Sequence, residues 1–306
     1  MRQCLLSLSN QSFFPKEIII VDNFHKKTAK KIYLEFKNKF KPIVLKYVYE
    51  KRKGAPYARN KGIKVAKSKK IAFIDDDCIP NKDWVYQAYT ALNFYPIVIG
   101  KNYNKIDSSL FSYIENIETD LFFNLGIINK NKTILLDSKN FAVRKETLIK
   151  HDLRFDNYFS PYSIFEDVDL GLSFIIKTKK LIFINQKMKV YHCGRTNFIS
   201  HIKRELNKGR GYFLFINKYF NKDNLRYKLG NQYYKKIFIY LLKILTLFGY
   251  KYIFNQFKKK VKNKNKNKIL LSLLILDLIL NSIGYLIEKL TFKKNFTILK
   301  KEGYVK

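Results

Sequence analysis

The chain has 306 residues, 47% of them hydrophobic, which is enough for one large domain or two smaller ones with an ordinary core. Its net charge of +36 favours anionic partners, but the lysines are spread along the whole chain and select no particular partner. The three cysteines are far apart, which excludes a disulfide framework and a cysteine metal site and indicates a reducing compartment; no apolar run near Met1 is long enough for a signal peptide.

The first two thirds of the chain alternate short apolar runs with helical patterns. This alternation predicts an α/β fold with a mainly parallel sheet covered by helices. Ligands of such sheets bind beyond the carboxyl ends of the strands, and Asp22 and Asp75–Asp77 each follow a predicted strand directly. The predicted strands are Glu17–Val21, Ile43–Val48, Lys70–Ile74 and Ile97–Gly100, and the predicted helices are Lys26–Lys39, Pro56–Ala66 and one capped by Asn81 or Asp83.

A looser connection, Asn124–Lys132, separates this part from the segment Leu135–Val143 and the acidic segment Phe165–Leu170. Two short strands are predicted at Lys180–Ile184 and Lys189–His192. The pattern then changes, which predicts a boundary near residue 200 between a catalytic domain over 1–200 and a helical region over 201–306.

Three adjacent aspartates, Asp75, Asp76 and Asp77, form the strongest candidate site. In an extended segment the first and third would point the same way and converge on one point. Adjacent carboxylates repel one another unless water or a cation relieves them, and Mg²⁺ or Mn²⁺ is often held by one or two carboxylates plus substrate phosphates. A solvated acidic turn is the alternative, but the position between a buried strand and Pro80 favours a metal.

Two further segments carry candidate ligands. Glu166 and Asp167 open a helical pattern, where the helix dipole alone would explain acids, and a carboxylate poised as general base is the functional interpretation. His192 ends a short strand and is either a structural residue or a metal ligand. Arg59 lies on a helix that begins near Gly54, where its planar guanidinium suits phosphate or a base edge; an ordinary capped helix is the alternative.

The order and spacing of these segments resemble the family-2 glycosyltransferases of the GT-A fold. The resemblance covers Leu5 to His192 and is carried by CLLSL with Gln11, EIIIVD at 17–22, GAPYARNKG at 54–62, IAFIDDD at 71–77, NFAVR at 140–144, FEDVDL at 165–170 and VYH at 190–192. It implies a GT-A-like, Rossmann-like mixed sheet, mainly parallel and flanked by helices, followed by the C-terminal helical region.

The resemblance also implies roles for individual residues. Asp22 would contact the nucleotide base, and Asp167, next to Glu166, would be the general base. The implied nucleotide-sugar site contains Asp22, Arg59, Asp75, Asp76 and Asn140, and the implied site for Mn²⁺ or Mg²⁺ contains Asp75, Asp77 and His192. The implied activity is that of a hexosyltransferase-type enzyme, inverting and metal-dependent, that moves a sugar from a nucleotide sugar, with a UDP-sugar favoured, to a glycan or lipid-linked acceptor in cell-surface polysaccharide or glycolipid synthesis.

Two departures from the family pattern matter. The usual first strand, with its Pro-Thr-Tyr-Asn-like turn, has no counterpart before Leu5, which leaves a late start codon or a truncated donor site as alternatives. The Gln-x-x-Arg-Trp signature of processive synthases is missing, since Trp84 is the only tryptophan, and this favours single additions.

Three rival functions compete with this interpretation. A catalytically inactive, membrane-bound GT-A-like interaction protein would explain the missing strand. A nucleotidyltransferase would need an N-terminal Gly-rich phosphate loop, which the sequence lacks. A nucleic-acid-binding protein would explain the charge, but no nucleic-acid module is visible and the acidic cluster would oppose phosphate. No nucleic-acid partner is therefore expected.

The C-terminal third predicts attachment to the cytoplasmic face of a membrane. Ile269–Ile287 is long enough to cross a hydrocarbon core, although Asp277 opposes insertion. The polar residues Asp277, Asn281, Tyr285 and Glu288 recur at helical spacing, and this stripe is expected to face Lys243 in the apolar segment Ile237–Tyr250. A helical pair in the interface, with Lys258–Lys268 against an anionic membrane surface, fits best; a helical extension packed on the catalytic domain is the alternative.

Overall fold

The computed structural model of the chain describes residues 1–40, 42–104, 110–193, 197–220 and 264–301. The chain divides into two compact units. We call Met1–Lys105 with Ile128–Cys193 the sheet unit, and Ile106–Ile127 with Gly194–Lys306 the helical unit. This division differs from the predicted one at residue 200 because the helix within 106–127 packs on the C-terminal helix and so belongs to the helical unit.

The secondary structure follows the predicted order. The strands are β1 (Glu17–Asp22), β2 (Val44–Tyr49), β3 (Lys70–Ile74), β4 (Cys78–Pro80), β5 (Ile97–Asn104), β6 (Ile127–Asn129), β7 (Lys132–Thr133), β8 (Asn140–Arg144) and β9 (Ile182–His192). The helices are α1 (Arg2–Ser9), α2 (Thr28–Phe36), α3 (Ala55–Val65), α4 (Trp84–Phe94), α5 (Leu110–Gly126), α6 (Lys145–Lys150), α7 (Glu166–Thr178), α8 (Phe198–Phe220) and α9 (Lys264–Lys301).

The strands form a two-stranded sheet, β1–β2, and a seven-stranded sheet in the order β3-β8-β5-β9-β7-β6, with β4 also paired to β9. Parallel pairing joins β1 to β2 and β5 to β9. Antiparallel pairing joins β3 and β5 to β8, and β4 and β7 to β9. The predicted mixed sheet is confirmed, but among the described pairs antiparallel ones outnumber parallel ones, because β8 and β9 run against several of their neighbours.

The core of the sheet unit lies along β8 and β5. Phe141, Ala142 and Val143 are completely buried, as is Val98 of β5. Phe141 stacks on Phe73 of β3 with ring centroids 4.4 Å apart. Apolar residues on successive positions of β8 are what a strand covered on both faces requires, and this explains why Phe141–Val143 is apolar without alternation.

Two backbone features determine where the helices of the sheet unit begin. Gly54 precedes α3 with a φ of 117°, and a Cβ there would lie 2.7 Å from the carbonyl oxygen of Ser160. Only glycine therefore fits this helix entry. Phe165, which precedes α7, has a backbone in the left-handed region, with a φ of 70°. Glu166 and Asp167 therefore directly follow a residue with a strained backbone. The predicted site residues Glu166 and Asp167 lie in the first turn of α7, and Arg59 lies in the second turn of α3.

Within the helical unit, α8 and α9 approach each other closely, and α5 packs on α9. A Cβ on Gly209 of α8 would collide with the carbonyl oxygen of Asn281 in α9. A Cβ on Gly284 of α9 would collide with the carbonyl oxygen of Leu206 in α8. The two glycines thus set which faces of the helices meet. The predicted segment Ile237–Tyr250 and most of Lys258–Lys268 lie outside the described residues.

Candidate active site

The three consecutive aspartates lie in a turn that joins β3 to β4. The backbone N–H of Cys78 donates to the carbonyl oxygen of Asp75 at 3.1 Å, which closes the turn. The expectation that Asp75 and Asp77 converge through strand alternation is therefore wrong, because the segment is not extended. Asp75 contacts Arg59, whereas Asp77 contacts His192.

Asp77 and His192 come together because β4 pairs with β9. Cys78 lies opposite His192 in this pairing, and the N–H of Cys193 donates to the carbonyl oxygen of Asp77 at 3.0 Å. His192 Nε2 lies 3.3 Å from Asp77 Oδ2. Burial alone would raise the pKa of Asp77. The hydrogen bond and the charge of His192 have the larger, opposite effect, so the pKa is lowered overall. The side chain of Asp77 is 50% exposed and remains accessible to a ligand.

The donor atoms at this place fit a divalent cation. Possible ligand atoms of Asp77, Cys78 and His192 lie within 4.8 Å of one another. Cys78 is completely buried, and burial raises the pKa of its thiol far above the ordinary value, so it stays protonated and is a packing residue. A carboxylate oxygen and an imidazole nitrogen remain, and both suit Mn²⁺. The two residues would hold the ion together with oxygens of a bound diphosphate.

Arg59 holds two carboxylates of the site together. Its Nη1 donates to Glu166 Oε1 at 2.6 Å and its Nη2 donates to Asp75 Oδ1 at 3.2 Å. Glu166 is 3% exposed, and burial raises its pKa to about 7 although Arg59 opposes the rise. This pair gives Glu166 the role of fixing Arg59. The predicted contact of Arg59 with the nucleotide stays a prediction.

Asp167 has different hydrogen-bond partners from its neighbour Glu166. Its Oδ2 accepts from the backbone N–H of Ser138 at 3.0 Å and its Oδ1 accepts from the N–H of Val168 at 2.8 Å. Asp167 is less buried than Glu166 and has no Arg59 pair in the described structure. The predicted role of Asp167 as general base stays a prediction.

Two residues near Asp167 were not predicted as part of the site, namely Asp137 and Lys139. Asp137 is 4% exposed, and its carboxylate accepts from Asn102 Nδ2 at 2.5 Å and lies 3.5 Å from Lys139 Nζ. Burial raises its pKa, Lys139 lowers it and Asp167 raises it again, with a net rise. The charge of Lys139 also lowers the pKa of Asp77, so this lysine lies within the field of the predicted metal ligand. A short polar Asp-Ser-Lys run before the buried strand β8 was the signal available in the sequence.

The remaining predicted residues lie in different surroundings. Asp22 is buried at the end of β1, where it accepts from two backbone N–H groups and from the hydroxyl of Tyr47. Asp76 is 72% exposed and lines a pocket of about 320 Å³ together with Asp77, Cys193 and the N-terminal residues 1–4. Contacts of both residues with a nucleotide stay predictions.

Asn140 was predicted to bind the nucleotide sugar, and its surroundings do not fit that role. It is completely buried, its Oδ1 accepts from Trp84 Nε1 at 2.8 Å, and its Nδ2 donates to the carbonyl oxygens of Lys101 and Met188. An added Cβ on Gly100 would collide with this amide. Asn140 therefore joins α4, β5, β8 and β9 inside the sheet unit, and a ligand would have to displace one of these bonds.

Comparisons with known proteins agree with this fold. Residues 1–152 match the family described as Glycosyl transferase family 2. Glycosyltransferase GlyG of Streptococcus pneumoniae serotype 4 is 25% identical over 196 residues, which cover 62% of this chain and 65% of GlyG, just under two thirds of its length. The uncharacterized glycosyltransferase YibD of Escherichia coli K12 is 24% identical over 254 residues, which cover 78% of this chain and 70% of YibD.

Among solved structures, the mannosyltransferase PcManGT of Pyrobaculum calidifontis in complex with GDP-Man and Mn²⁺ has a TM-score of 0.63 and is 12% identical in sequence. The alignment covers 94% of this chain and 82% of that protein. This likeness concerns the fold alone. It confirms the predicted GT-A architecture, a mixed sheet flanked by helices with a C-terminal helix.

Proposed function

We propose, from the premise that this chain belongs to the family 2 glycosyl transferases, that it transfers a sugar from a nucleoside diphosphate sugar to a hydroxyl group of an acceptor. The observation that carries the proposal is the pairing of Asp77 with His192 at 3.3 Å. The charge of Lys139 lowers the pKa of Asp77. The backbone N–H of Ser138, the residue before Lys139, donates a hydrogen bond to Asp167. A cation ligand and a candidate base thus lie in the same neighbourhood of the sheet unit.

The proposed cofactor is Mn²⁺ or Mg²⁺ held by Asp77 and His192, with Asp75 in the same turn. A divalent cation bound there would offset the negative charge that grows on the departing diphosphate. The mannosyltransferase of similar fold is described in complex with GDP-Man and Mn²⁺, which supports a nucleotide sugar and a cation for this chain too. We expect a UDP-sugar as the donor, and comparing UDP- with GDP-sugars in a binding assay tests that choice.

The proposed reaction is an inverting displacement. The acceptor oxygen forms a bond with the anomeric carbon while the bond from that carbon to the diphosphate oxygen breaks. Asp167 takes the acceptor's proton, and the N–H groups of Ser138 and Val168 hold its carboxylate in place during the step. Arg59 is hydrogen-bonded to both Asp75 and Glu166 and holds the two carboxylates in place. These carboxylates therefore need little reorganisation during the reaction.

The proposed acceptor is a glycan or a lipid-linked sugar, and the addition is single. Trp84 is buried and hydrogen-bonded to Asn140 rather than available to an acceptor strand. Synthesis of a cell-surface polysaccharide or glycolipid is the process that such a reaction would serve.

Measurements of donor binding and of turnover distinguish the proposed role of Asp77 as a cation ligand from that of Asp167 as a general base. We expect Asp77→Ala to lose Mn²⁺-dependent binding of the donor, measured by isothermal titration calorimetry. We expect Asp167→Asn to keep donor binding but to lose turnover by roughly 10²–10⁴-fold, the usual contribution of a general base. Glu146→Gln, which removes a 75% exposed carboxylate of α6, is the matched control and should change neither quantity.

Two results would contradict this assignment. Normal turnover by Asp167→Asn would require another base. Failure of the unaltered protein to bind any nucleotide sugar in the presence of Mn²⁺ would overturn the proposed function and favour the inactive interaction protein instead.

A further inference from the structure

Helix α9 has its polar side inside the helical unit and an apolar side outside. Asp277 and Glu288 are completely buried, and Asn281 is 8% exposed. The opposite side carries a row of large apolar side chains that are 43–84% exposed, which we call the outer stripe: Ile275, Ile279, Ile283, Leu286 and Leu290. A helix at a water-covered surface has the reverse arrangement, with charged residues outside.

Two of these buried polar residues, Asp277 and Asn281, are held by partners on α8, and α8 is in turn paired with α5. His201 Nε2 lies 2.7 Å from Asp277 Oδ1, and Asn281 Nδ2 donates to Glu205 Oε2 at 3.0 Å. Lys208 Nζ donates to Glu118 of α5 at 2.8 Å and to Glu205 at 3.1 Å. The lysine already occupies the space between these two carboxylates, so the acidic cluster needs no additional cation. The polar stripe faces α8 in the described structure, and Lys243, which it was predicted to face, lies outside the described residues.

The glycine contacts commit α9 to this orientation. Gly209 and Gly284 allow the two backbones to meet, and any side chain at either position would collide with a carbonyl oxygen of the other helix. Rotation of α9 to bury the outer stripe would break these contacts and expose the ion pairs. The outer stripe is therefore left uncovered by the described part of the helical unit.

The length of the apolar stretch in α9 and the charge of the sequence around it indicate which partner fits the outer stripe. Leu271–Phe292 is a 22-residue stretch long and apolar enough to cross a membrane, and 33% of its most apolar window is buried. A perpendicular crossing would carry the charges of α8 into hydrocarbon, whereas a helix lying in the interface immerses only its outer stripe. In the sequence, lysines flank the apolar stretch on both sides: Lys264, Lys266, Lys268, Lys293 and Lys294. Such cations favour anionic headgroups, and the net charge of +36 acts in the same direction.

We propose that the outer stripe of α9 lies in the headgroup–acyl boundary of an anionic lipid bilayer, with α9 parallel to the membrane surface. The chain is thereby attached to the cytoplasmic face of a membrane without crossing it through α9. This attachment is independent of the sugar transfer proposed above, since none of its residues takes part in that reaction.

The test is flotation of the full-length protein with lipid vesicles. We expect it to float with vesicles of phosphatidylglycerol mixed with phosphatidylcholine, and to float less with phosphatidylcholine alone. Ile279→Glu combined with Ile283→Glu should weaken partitioning by at least about tenfold, because two apolar side chains leave the boundary. Ile149→Glu is the matched control, since Ile149 is 71% exposed on α6 of the sheet unit, and it should float like the unaltered protein.

Other outcomes overturn the proposal. The double variant must keep its helical circular dichroism, and flotation of that folded variant at the unaltered level would refute insertion of the stripe. A protein that floats with neither kind of vesicle, and forms a dimer that the double variant abolishes, would show that a second copy covers the stripe.

Discussion

Removing Arg59 should destabilise the sheet unit in a strongly pH-dependent way. Arg59→Ala leaves Glu166 without its cation at a position that is 3% exposed. The pKa of Glu166 is raised to about 7 by burial even with Arg59 present, and loss of the arginine must raise it further. A carboxyl with a raised pKa contributes stability that is fully present below its ordinary pKa and is lost as the pH rises through the folded value.

The size of the effect follows from this titration. At pH 5.5 Glu166 is mostly protonated in both folded proteins, so the substitution removes mainly hydrogen bonds, about 1–2 kcal/mol. At pH 8 the unaltered protein keeps an ionised pair, whereas the variant must bury a lone carboxylate or retain a proton, which costs about 3–5 kcal/mol. With urea slopes of about 1–3 kcal/mol/M, the unfolding midpoint should fall by roughly 1–5 M at pH 8 and by less at pH 5.5.

Tryptophan fluorescence is a direct assay, because the single tryptophan, Trp84, is 3% exposed in the core of the sheet unit. Arg2→Ala, which removes an exposed pair with Glu35, is the control and should cost less than about 1 kcal/mol. Adding Glu166→Gln to Arg59→Ala should recover most of the stability at pH 8. An equal loss at both pH values, or no recovery in the double variant, would refute the assignment of Glu166 as a buried ionic partner.

Three further predictions concern buried polar groups. Trp84→Phe should cost about 1–3 kcal/mol in thermal unfolding followed by circular dichroism, because the Oδ1 of Asn140 loses a donor at 2.8 Å; an unchanged melting temperature would contradict this. Gly100→Ala should cost roughly 1–3 kcal/mol in the same assay, because its methyl group meets the Asn140 amide, and a neutral effect would show that β5 can shift. Burial raises the pKa of Glu118 to about 7 against the charge of Lys208, so stability of the helical unit should fall as the pH rises from 4.5 through 7; Glu118→Gln should flatten that slope in melts across this range, and an unchanged slope would exclude Glu118.

Locally encoded elements were predictable from the sequence. The run Glu17–Val21 is β-branched and forms β1, and Lys70–Ile74 forms β3 with the predicted bounds. Glu166 and Asp167 begin α7 as expected from the apolar period that follows them. These features depend on neighbours within a few residues, which a single sequence displays.

Long-range features were less accessible. The proximity of Asp77 and His192 depends on the register between β4 and β9, and only the family resemblance indicated it. Lys180–Ile184 and Lys189–His192 were predicted as separate strands, but β9 runs from Ile182 to His192, and its pairing with β5 continues on both sides of an irregularity between the pairs Ile99–Ile184 and Lys101–Lys189. The partner of the polar stripe on α9 depends on glycines in another helix, and no periodicity in α9 itself reveals that partner.

The position of β9 has a consequence for synthesis of the protein. Although β9 is the last described strand in the chain, it pairs with β4, β5 and β7 in the interior of the seven-stranded sheet. During synthesis, β4, β5 and β7 lack this neighbour until residues 182–192 have left the ribosome. Until then the Asp77 carboxylate also lacks the imidazole of His192. Because such non-local pairing is slow and leaves open strand edges, the growing chain is exposed to aggregation until β9 is inserted. The Asp77–His192 pair, and with it the proposed cation site, can therefore form only after β9 is inserted.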